Sequence, residues 1–161
     1  MLTKELLHEY FDYQDGKLLW SKMCGCRSDL VGKEAGSVNE QNYRRIKIDN
    51  KLYMAHRVVF MYHHGYMPLE VDHIDCDRQN NRIENLRAVS KKENCWNRKM
   101  PTNNTSGIKG VCWHKSTNRW YVQLQVNKKM KYLGIYEDIE LAELVAIEAR
   151  AKYHGEFARN N

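Results

Sequence analysis

Four polar residues in the middle of the chain have types and spacings that suit hydrolysis of a phosphodiester. Asp72 and His73 are adjacent. Asn85 follows 12 residues after His73, and Asn94 lies 9 residues further on. Such a cleavage needs a base that activates water and a cation that offsets charge on the phosphorus centre and on the departing 3′-oxygen. A neutral imidazole suits the first role, and a carboxylate with an amide oxygen suits a hard cation such as Mg²⁺.

The elements around these residues are predicted to bring them to one place. Residues 69–74 and 86–89 are strand-like, with a polar loop between them. Ser90 and Glu93 form a capping-box pattern, which predicts that a helix begins there. The order of strand, loop, strand and helix places the Asp-His pair at a strand end, Asn85 in the returning loop and the second asparagine in the first turns of the helix.

Two helices and two hairpins are predicted upstream of this segment. Residues 2–10 have helical spacing, and residues 56–64 form a short buried helix that Gly65 ends. Asp15-Gly16 and Asp49-Asn50 mark the hairpin turns. The second hairpin has a basic face, formed by Arg44, Arg45 and Lys47.

The composition indicates a folded protein of the cell interior. The 161 residues are 42% hydrophobic and carry a net charge of +6, which is enough for one domain or two small ones. No apolar run approaches about 18 residues, and the N-terminus lacks an apolar signal core, so we expect neither a membrane span nor secretion. The five cysteines include no C-x-x-C pair, so no structural zinc is expected. A site using Cys24, Cys26 and a distant histidine is the alternative.

The last third of the chain is predicted to form a separate basic module. The polar, turn-rich segment 101–106 indicates a linker between a first domain at 1–100 and a second domain at 107–161. Residues 101–136 contain six basic residues and no acidic residue. A stretch of this kind favours a polyanionic partner.

Three short strands and a helix are predicted within this module. The strands are 108–114, 120–126 and 130–136, and the amphipathic helix is 139–153. Alternation along the middle strand puts Gln123 and Gln125 on a polar face, where they could bind a partner or be merely solvated. Trp113 and Trp120 share the apolar parity and are expected in the core. We therefore predict an α+β protein whose C-terminal part is a three-stranded antiparallel sheet packed on one helix.

The segment 71–94 resembles the HNH endonucleases of the ββα-metal fold, and specifically the phage-type homing endonucleases. The matching residues are Val71-Asp72-His73-Ile74-Asp75, Asn80-Asn81-Arg82-Ile83-Glu84-Asn85-Leu86-Arg87-Ala88-Val89-Ser90 and Lys92-Glu93-Asn94, and His56-Arg57-Val58-Val59 is similar to the family's lead-in helix. The resemblance implies that His73 is the general base and that Asn85 orients it through the loop. It also implies that Asp72 and Asn94 hold one Mg²⁺ or Mn²⁺ ion.

This resemblance implies a ββα-metal nuclease domain in residues 1–100 and a site-specific, metal-dependent DNA endonuclease of the homing type. Asn94 stands where the family name expects a second histidine. Asn97, one turn along the same predicted helix, is the alternative ligand. The alternative function is a catalytically inactive DNA-binding regulator on a nuclease-like scaffold.

Residues 103–154 resemble the AP2 DNA-binding domain. The matching residues are Gly107-Ile108-Lys109-Gly110-Val111, Trp120-Tyr121-Val122 and Leu133-Gly134-Ile135-Tyr136. The AP2 family lays the polar face of its sheet in the major groove, which implies base contacts by His114, Gln123, Gln125 and Tyr132. Phosphate contacts are then expected from Lys109, Arg119 and Lys128, with the basic hairpin adding to them. The expected partner is double-stranded DNA, bound by a monomer in the cytoplasm, within a bacterial host cell if a phage encodes the protein.

Overall fold

The structure is a computed structural model. It describes residues 2–21, 28–97, 100, 102–127 and 129–158. Three residues that the sequence analysis singled out lie outside these ranges, namely Cys24, Cys26 and Lys128. Across the described ranges, none of the helices combines the length and the apolar character needed to cross a bilayer.

Two compact units make up the chain, Met1–Asn94 and Cys95–Asn161. The division falls within a helix and precedes the segment 101–106, where the sequence predicts a linker. Each unit combines helices with antiparallel strands, so the predicted α+β class is confirmed.

The first unit has the following elements. It begins with helix α1 (Lys4–Tyr10) and a hairpin of β1 (Phe11–Gln14) and β2 (Lys17–Trp20). A three-stranded antiparallel sheet has the order β3 (Ser37–Val38), β4 (Arg44–Ile48) and β5 (Lys51–Met54). Helix α2 (Ala55–His64) is followed by an antiparallel pair, β6 (Glu70–His73) and β7 (Leu86–Val89), and by helix α3 (Lys91–Trp96).

Local sequence accounts for the two hairpin turns. Asp15 and Gly16 have φ values of +47° and +85°, and Asp49 and Asn50 have φ values of +47° and +62°. Left-handed conformations at both central residues define a type I′ turn, whose twist matches that of the flanking strands. Both predicted hairpins are therefore confirmed.

Helix α2 lies at the centre of the core of the first unit. Val58 and Val59 are fully buried in it. The helix ends at Gly65, which has a φ of +78° and donates its N–H to the Met61 carbonyl, as predicted for a C-cap. Buried residues of the surrounding elements complete this core, namely Leu7, Phe11, Ile46, Val71 and Leu86.

The second unit is a sheet covered by one helix. Its antiparallel strands have the order β10 (Lys129–Tyr136), β9 (Arg119–Val126) and β8 (Val111–His114), and helix α4 (Ile139–His154) follows them. Val111 and Val122 pack against Ala142 and Ala146 of the helix. These small helix residues allow a close approach to the sheet, and the predicted packing of the sheet on the final helix is confirmed.

The prediction for Trp113 is wrong. Trp120 packs against the core of the second unit, whereas Trp113, its partner across the β8–β9 pair, is 43% exposed. The two rings are in edge-to-face contact at 4.8 Å. Because β8 is an edge strand, no further strand covers the other side of Trp113.

Gly36 lies where the chain passes the backbone of β4, and its φ is +84°. A Cβ atom there would overlap the Arg45 carbonyl oxygen, so we expect Gly36→Ala to lower the free energy of unfolding of the first unit by about 3 kcal/mol. Gly32 is a matched control, because it has a φ of +77° and a Cβ there would meet nothing within 4 Å. Gly32→Ala should cost only about 1 kcal/mol. Urea unfolding followed through the NMR amide signals of the first unit measures both losses, and equal losses would contradict the close approach.

Candidate active site

Asp72 and His73 end strand β6 and are both buried, with 7% and 5% of their surfaces exposed. Asp72 faces Arg87 across the β6–β7 pair. The Nε and Nη2 atoms of Arg87 donate to Asp72 Oδ2 at 3.2 and 3.0 Å. A buried carboxylate is stable only with such a partner. Sequence reasoning did not assign Arg87 to the site. The signal that could have found it is the pairing of the two predicted strands, because their register puts Arg87 opposite Asp72.

The ring of His73 lies among polar and aromatic side chains. Its Nε2 is 2.9 Å from the Oδ1 of Asn81, whose surface is 5% exposed. The ring of His56 meets it edge-on with centroids 4.9 Å apart, and the ring of Tyr43 lies at 6.3 Å. Asn81 and His56 both belong to the residues that carry the HNH resemblance, but sequence reasoning assigned neither of them a role at the site.

Asn85 closes the loop that follows His73. Its Nδ2 donates to Asp75 Oδ1 at 2.9 Å and to the Asn80 carbonyl at 2.8 Å, and its Oδ1 accepts the Asp75 N–H at 3.1 Å. These contacts act on the loop, whereas the side chain of Asn81 contacts the ring of His73 directly. Two asparagines thus lie in this segment, Asn81 against the ring of His73 and Asn85 within the loop, and sequence reasoning pointed only to Asn85. The orienting role of Asn85 stays a prediction.

The Asp75 carboxylate is the acceptor at the centre of this loop. Burial acts to raise the pKa of Asp75, but the N–H of Asp77, the amides of Asn80 and Asn85 and the charge on His73 together lower it below its ordinary value. The carboxylate is therefore held in its ionised form. In that form both oxygens can accept the hydrogen bonds that close the loop.

The same loop is anchored to the turn that precedes β4. Arg78 donates from Nη1 to the Gln41 carbonyl at 2.9 Å, and its guanidinium lies 4.7 Å from the ring centroid of Tyr43. Gln79 donates from Nε2 to the Asn42 carbonyl at 2.5 Å. Tyr43 thus contacts both this anchor and the aromatic surroundings of the catalytic candidate.

Asn94 is half-buried in α3 and donates its backbone N–H to the Ser90 carbonyl at 3.1 Å. Glu93 donates its N–H to Ser90 Oγ, and Ser90 donates its N–H to Glu93 Oε2, so the predicted capping box is confirmed. Asn97 does not lie on the same helix, because α3 ends before it. That expectation is wrong, and Asn97 is buried within the second unit.

The oxygen donors of Asp72 and Asn94 suit a hard divalent cation. Mg²⁺ and Mn²⁺ prefer carboxylate and amide oxygens, and Mg²⁺ keeps several of its waters in such sites. Within the described part of the chain, no group of three or more His, Cys, Asp or Glu side chains could hold a metal ion. A site built from one aspartate and one asparagine is not such a group. The chemistry of these two donors fits the predicted ion.

The three cations predicted on the β4 hairpin differ in their surroundings. Arg44 is half-buried, with its Nε 2.9 Å from Glu34 Oε1 and its Nη1 donating to the Gly36 carbonyl at 3.0 Å. Arg45 and Lys47 are exposed. The exposed basic face of this hairpin therefore contains Arg45 and Lys47, whereas Arg44 stabilises the turn beside it.

The residues predicted to contact bases share the face of the second sheet that is opposite α4. They are His114, Gln123, Gln125 and Tyr132. Gln125 is exposed, and Tyr132 is 57% exposed with its ring stacked on that of Tyr121 at 5.3 Å. The Tyr121 hydroxyl donates to Gln123 Oε1 at 3.0 Å. Gln125 is thus a more accessible amide on this face than Gln123.

The residues predicted to contact phosphates have partners inside the second unit. The Nζ of Lys109 donates to the Trp96 carbonyl at 3.0 Å. Arg119 Nη2 lies 2.5 Å from Glu137 Oε1. Both cations would have to leave or share these partners to bind a phosphate.

Comparisons with known proteins agree with the chemistry of the first unit. A family model described as HNH endonuclease matches residues 53–95, from β5 to α3. Protein 3.8 of Escherichia phage T7 is 38% identical over 91 residues, which cover 55% of this chain and 73% of that protein. The chain belongs to the HNH endonuclease family. No solved structure matches it.

Membership of the HNH endonucleases implies a nuclease that hydrolyses DNA, and this family generally uses a divalent metal. The predicted HNH segment 71–94 lies wholly inside the matched residues, so that part of the prediction is confirmed. The match ends at residue 95 and does not extend into the strands of the second unit. The AP2 resemblance therefore stays a prediction for this HNH endonuclease.

His56 gives the first unit a characteristic pH dependence. Burial, and then the charges of His73 and Arg57, lower the pKa of His56 from 6.5 to about 3. Between pH 6.5 and about 3, His56 is therefore protonated in the unfolded chain but neutral in the folded protein. The contribution of His56 to the free energy of unfolding is full above pH 6.5 and is lost as the pH falls towards 3. Between pH 7 and 5 we expect a loss of about 2 kcal/mol from this residue. Urea unfolding of His56→Leu should lack this component, and an unchanged pH dependence would contradict it.

Proposed function

We propose that this HNH endonuclease is a site-specific enzyme of the homing type that cuts double-stranded DNA. In this proposal residues 1–100 perform the cleavage, residues 107–161 form an AP2-like domain that binds DNA, and residues 101–106 link them. The observation that carries the proposal is the arrangement at the end of β6, where buried His73 is held by Asn81 directly beside a buried carboxylate. A histidine fixed in this way is suited to act as a general base.

His73 removes a proton from water as the resulting hydroxide attacks the phosphorus atom. The bond between phosphorus and the 3′-oxygen breaks, and the departing oxygen takes a proton from solvent to become a hydroxyl. His73 then returns its proton to solvent, so no other reactant is consumed. The fixed position of the imidazole lowers the barrier because the base does not have to be ordered during the reaction.

Asp72 and Asn94 would hold one Mg²⁺ or Mn²⁺ ion. When bound, the ion supplies positive charge that offsets the charge on the phosphorane and on the departing oxygen. Asn94 is preferred to Asn97 because it lies on the helix that follows β7, whereas Asn97 comes after the last residue of that helix. Arg87 keeps the Asp72 carboxylate in place through its ion pair.

The second unit would supply much of the sequence preference. The polar face of its sheet presents an exposed amide at Gln125 and an exposed ring at Tyr132. A glutamine amide can pair with the edge of adenine in the major groove, and a β-ribbon fits into that groove. Arg45 and Lys47 on the first unit would add phosphate contacts, which give affinity without sequence choice. A monomer with one active site would cut only one strand of the DNA.

The role of His73 as the general base is tested by cleavage of a library of genomic fragments and of supercoiled plasmid, with and without Mg²⁺. We expect cleavage that requires the metal and stops with a chelator. His73→Ala should lower the rate by about 10²- to 10⁴-fold, because a general base contributes on that scale, and should leave DNA affinity nearly unchanged. His64→Ala is the matched control, because His64 is an exposed histidine of the same unit.

Equal losses of binding and cleavage in His73→Ala would contradict the role of His73 as the base. Specific binding without metal-dependent cleavage would instead support the inactive regulator.

The DNA-binding face is tested at the site recovered from that library. We expect Gln125→Ala to weaken binding to this site by about 5- to 100-fold and to leave binding to random DNA nearly unchanged, because a base contact carries specificity. Leu144→Ala is the control, because Leu144 is exposed on α4, which covers the other face of the sheet. Fluorescence anisotropy at fixed salt measures the affinities. A Gln125 variant that binds both DNAs like the unaltered protein would exclude this base contact.

A further inference from the structure

We propose that Arg78 binds a backbone phosphate of the DNA strand that is cut, next to the cleaved phosphate. This inference rests on the proposed function, because it requires that DNA lies at His73. Sequence reasoning did not single out Arg78, which lies in the loop between β6 and β7. The inference makes it a substrate-binding residue and the nearest member of a row of cations that leads to the active site.

The guanidinium of Arg78 is held in place by two contacts. Its Nη1 donates to the Gln41 carbonyl at 2.9 Å, and the guanidinium lies 4.7 Å from the ring centroid of Tyr43. The neighbouring Gln79 donates to the Asn42 carbonyl at 2.5 Å, so the loop beside Arg78 is held as well. A long side chain that is already ordered loses less conformational entropy when it binds a ligand.

The ring of Tyr43 connects Arg78 with the candidate general base. This ring lies 6.3 Å from the ring of His73 and 5.5 Å from the ring of His56. Arg78 and His73 are therefore neighbours of the same tyrosine. A DNA strand that is cut at His73 brings further phosphates into these surroundings, because each of its nucleotides carries one.

The charge of Arg78 is available to a phosphate. Among the described residues, no carboxylate forms an ion pair with Arg78 within 4.0 Å, although its side chain is exposed. The contact with the Gln41 carbonyl uses one of the five N–H donors of the guanidinium. Arginine can bind a phosphate through two parallel hydrogen bonds. Four other arginines do have a carboxylate partner, namely Arg44, Arg82, Arg87 and Arg119.

Arg78 extends a row of cations along β4. Arg45 and Lys47 are exposed and alternate along this strand, so they share one face. Tyr43 continues the alternation, because the Asn39 N–H donates to its carbonyl at 2.8 Å, one step beyond the last pair of β3 and β4. Arg78 therefore lies at the end of the row that is nearer to the active site. Strands β3, β4 and β5 contain no acidic residue, so the row suits the backbone of one DNA strand.

The phosphate contact is tested by the salt dependence of DNA binding. Arg78→Gln removes the charge but keeps an amide that can donate to the Gln41 carbonyl, and Arg78→Lys keeps the charge. Arg82→Gln is the matched control, because Arg82 is an exposed arginine of the same loop whose partner is Asp15, on the turn between β1 and β2. Fluorescence anisotropy of the full chain with a labelled duplex of arbitrary sequence, without metal and over a series of KCl concentrations, gives the slope of log K against log [KCl].

We expect this slope to become shallower by about 0.9 in Arg78→Gln, because each phosphate that a cation neutralises contributes about that amount. Arg78→Lys and Arg82→Gln should keep the slope of the unaltered protein. In plasmid cleavage with Mg²⁺, the kcat/KM of Arg78→Gln should fall by about 10- to 100-fold, as for the loss of a charged hydrogen bond. Arg78→Lys should recover part of that loss.

A second measurement locates the contact at the site recovered from the fragment library. Single phosphates that flank the cut, on either strand, are replaced by neutral methylphosphonates. We expect the unaltered protein to lose cleavage rate at a phosphate of the cut strand next to the cut, and Arg78→Gln to be insensitive at that position. The unaltered protein by itself shows which phosphates matter, so this part does not depend on a variant that folds.

Three results would overturn the inference. One is an unchanged salt slope in Arg78→Gln. The second is an equal change of slope in Arg82→Gln, since the loss of any positive charge would then be the cause. The third is an Arg78→Gln protein that stays sensitive at every flanking phosphate of the cut strand. Failure of the unaltered protein to cut any DNA would refute the proposed function alone, because the salt slope still decides whether Arg78 binds a phosphate.

Discussion

The loop between β6 and β7 must leave His73 and return to the paired strand within 12 residues while its polar groups stay satisfied. The ionised carboxylate of Asp75 meets this requirement, because its two oxygens accept from the side chains of Asn80 and Asn85 and from a backbone N–H. These bonds hold both ends of the loop, because Asp77 and Asn80 lie after His73 and Asn85 directly precedes β7. Without the Asp75 carboxylate, the side-chain amide of Asn80 and the backbone N–H of Asp77 would lose their acceptor within the loop.

The polar groups buried at the site are stable because each is compensated in a different way. Asp72 forms an ion pair with Arg87, His56 is held neutral by burial, and His73 is hydrogen-bonded to the side chain of Asn81. Each of these contacts restricts both of the side chains that form it, because a buried polar group without a hydrogen-bond partner costs free energy. The result is a set of side chains with few alternative positions, which is what a general base and a metal ligand both need.

The basic composition of the chain says less about DNA contacts than the surroundings of each cation do. Arg44, Lys109 and Arg119 have partners within their own units, so part of their charge is used to stabilise the fold. On the β4 hairpin and on the second sheet, not every described side chain that was predicted to contact DNA is exposed. Affinity in such an arrangement would come from a small number of exposed cations, and sequence preference from an exposed amide.

Features that depend on neighbours in the chain could be predicted from the sequence. The hairpin turns, the end of α2 at Gly65, the capping box of α3 and the alternation of β9 follow from backbone preferences and period, which act over a few residues. The motif also identified the family. Three other features are visible only in the folded chain, namely the contact of Asn81 with the ring of His73, the end of α3 before Asn97 and the exposure of Trp113. Those outcomes depend on how a loop closes, where a helix stops and which strand lies at an edge, and each is set by contacts between distant residues and by burial, which a local pattern does not contain.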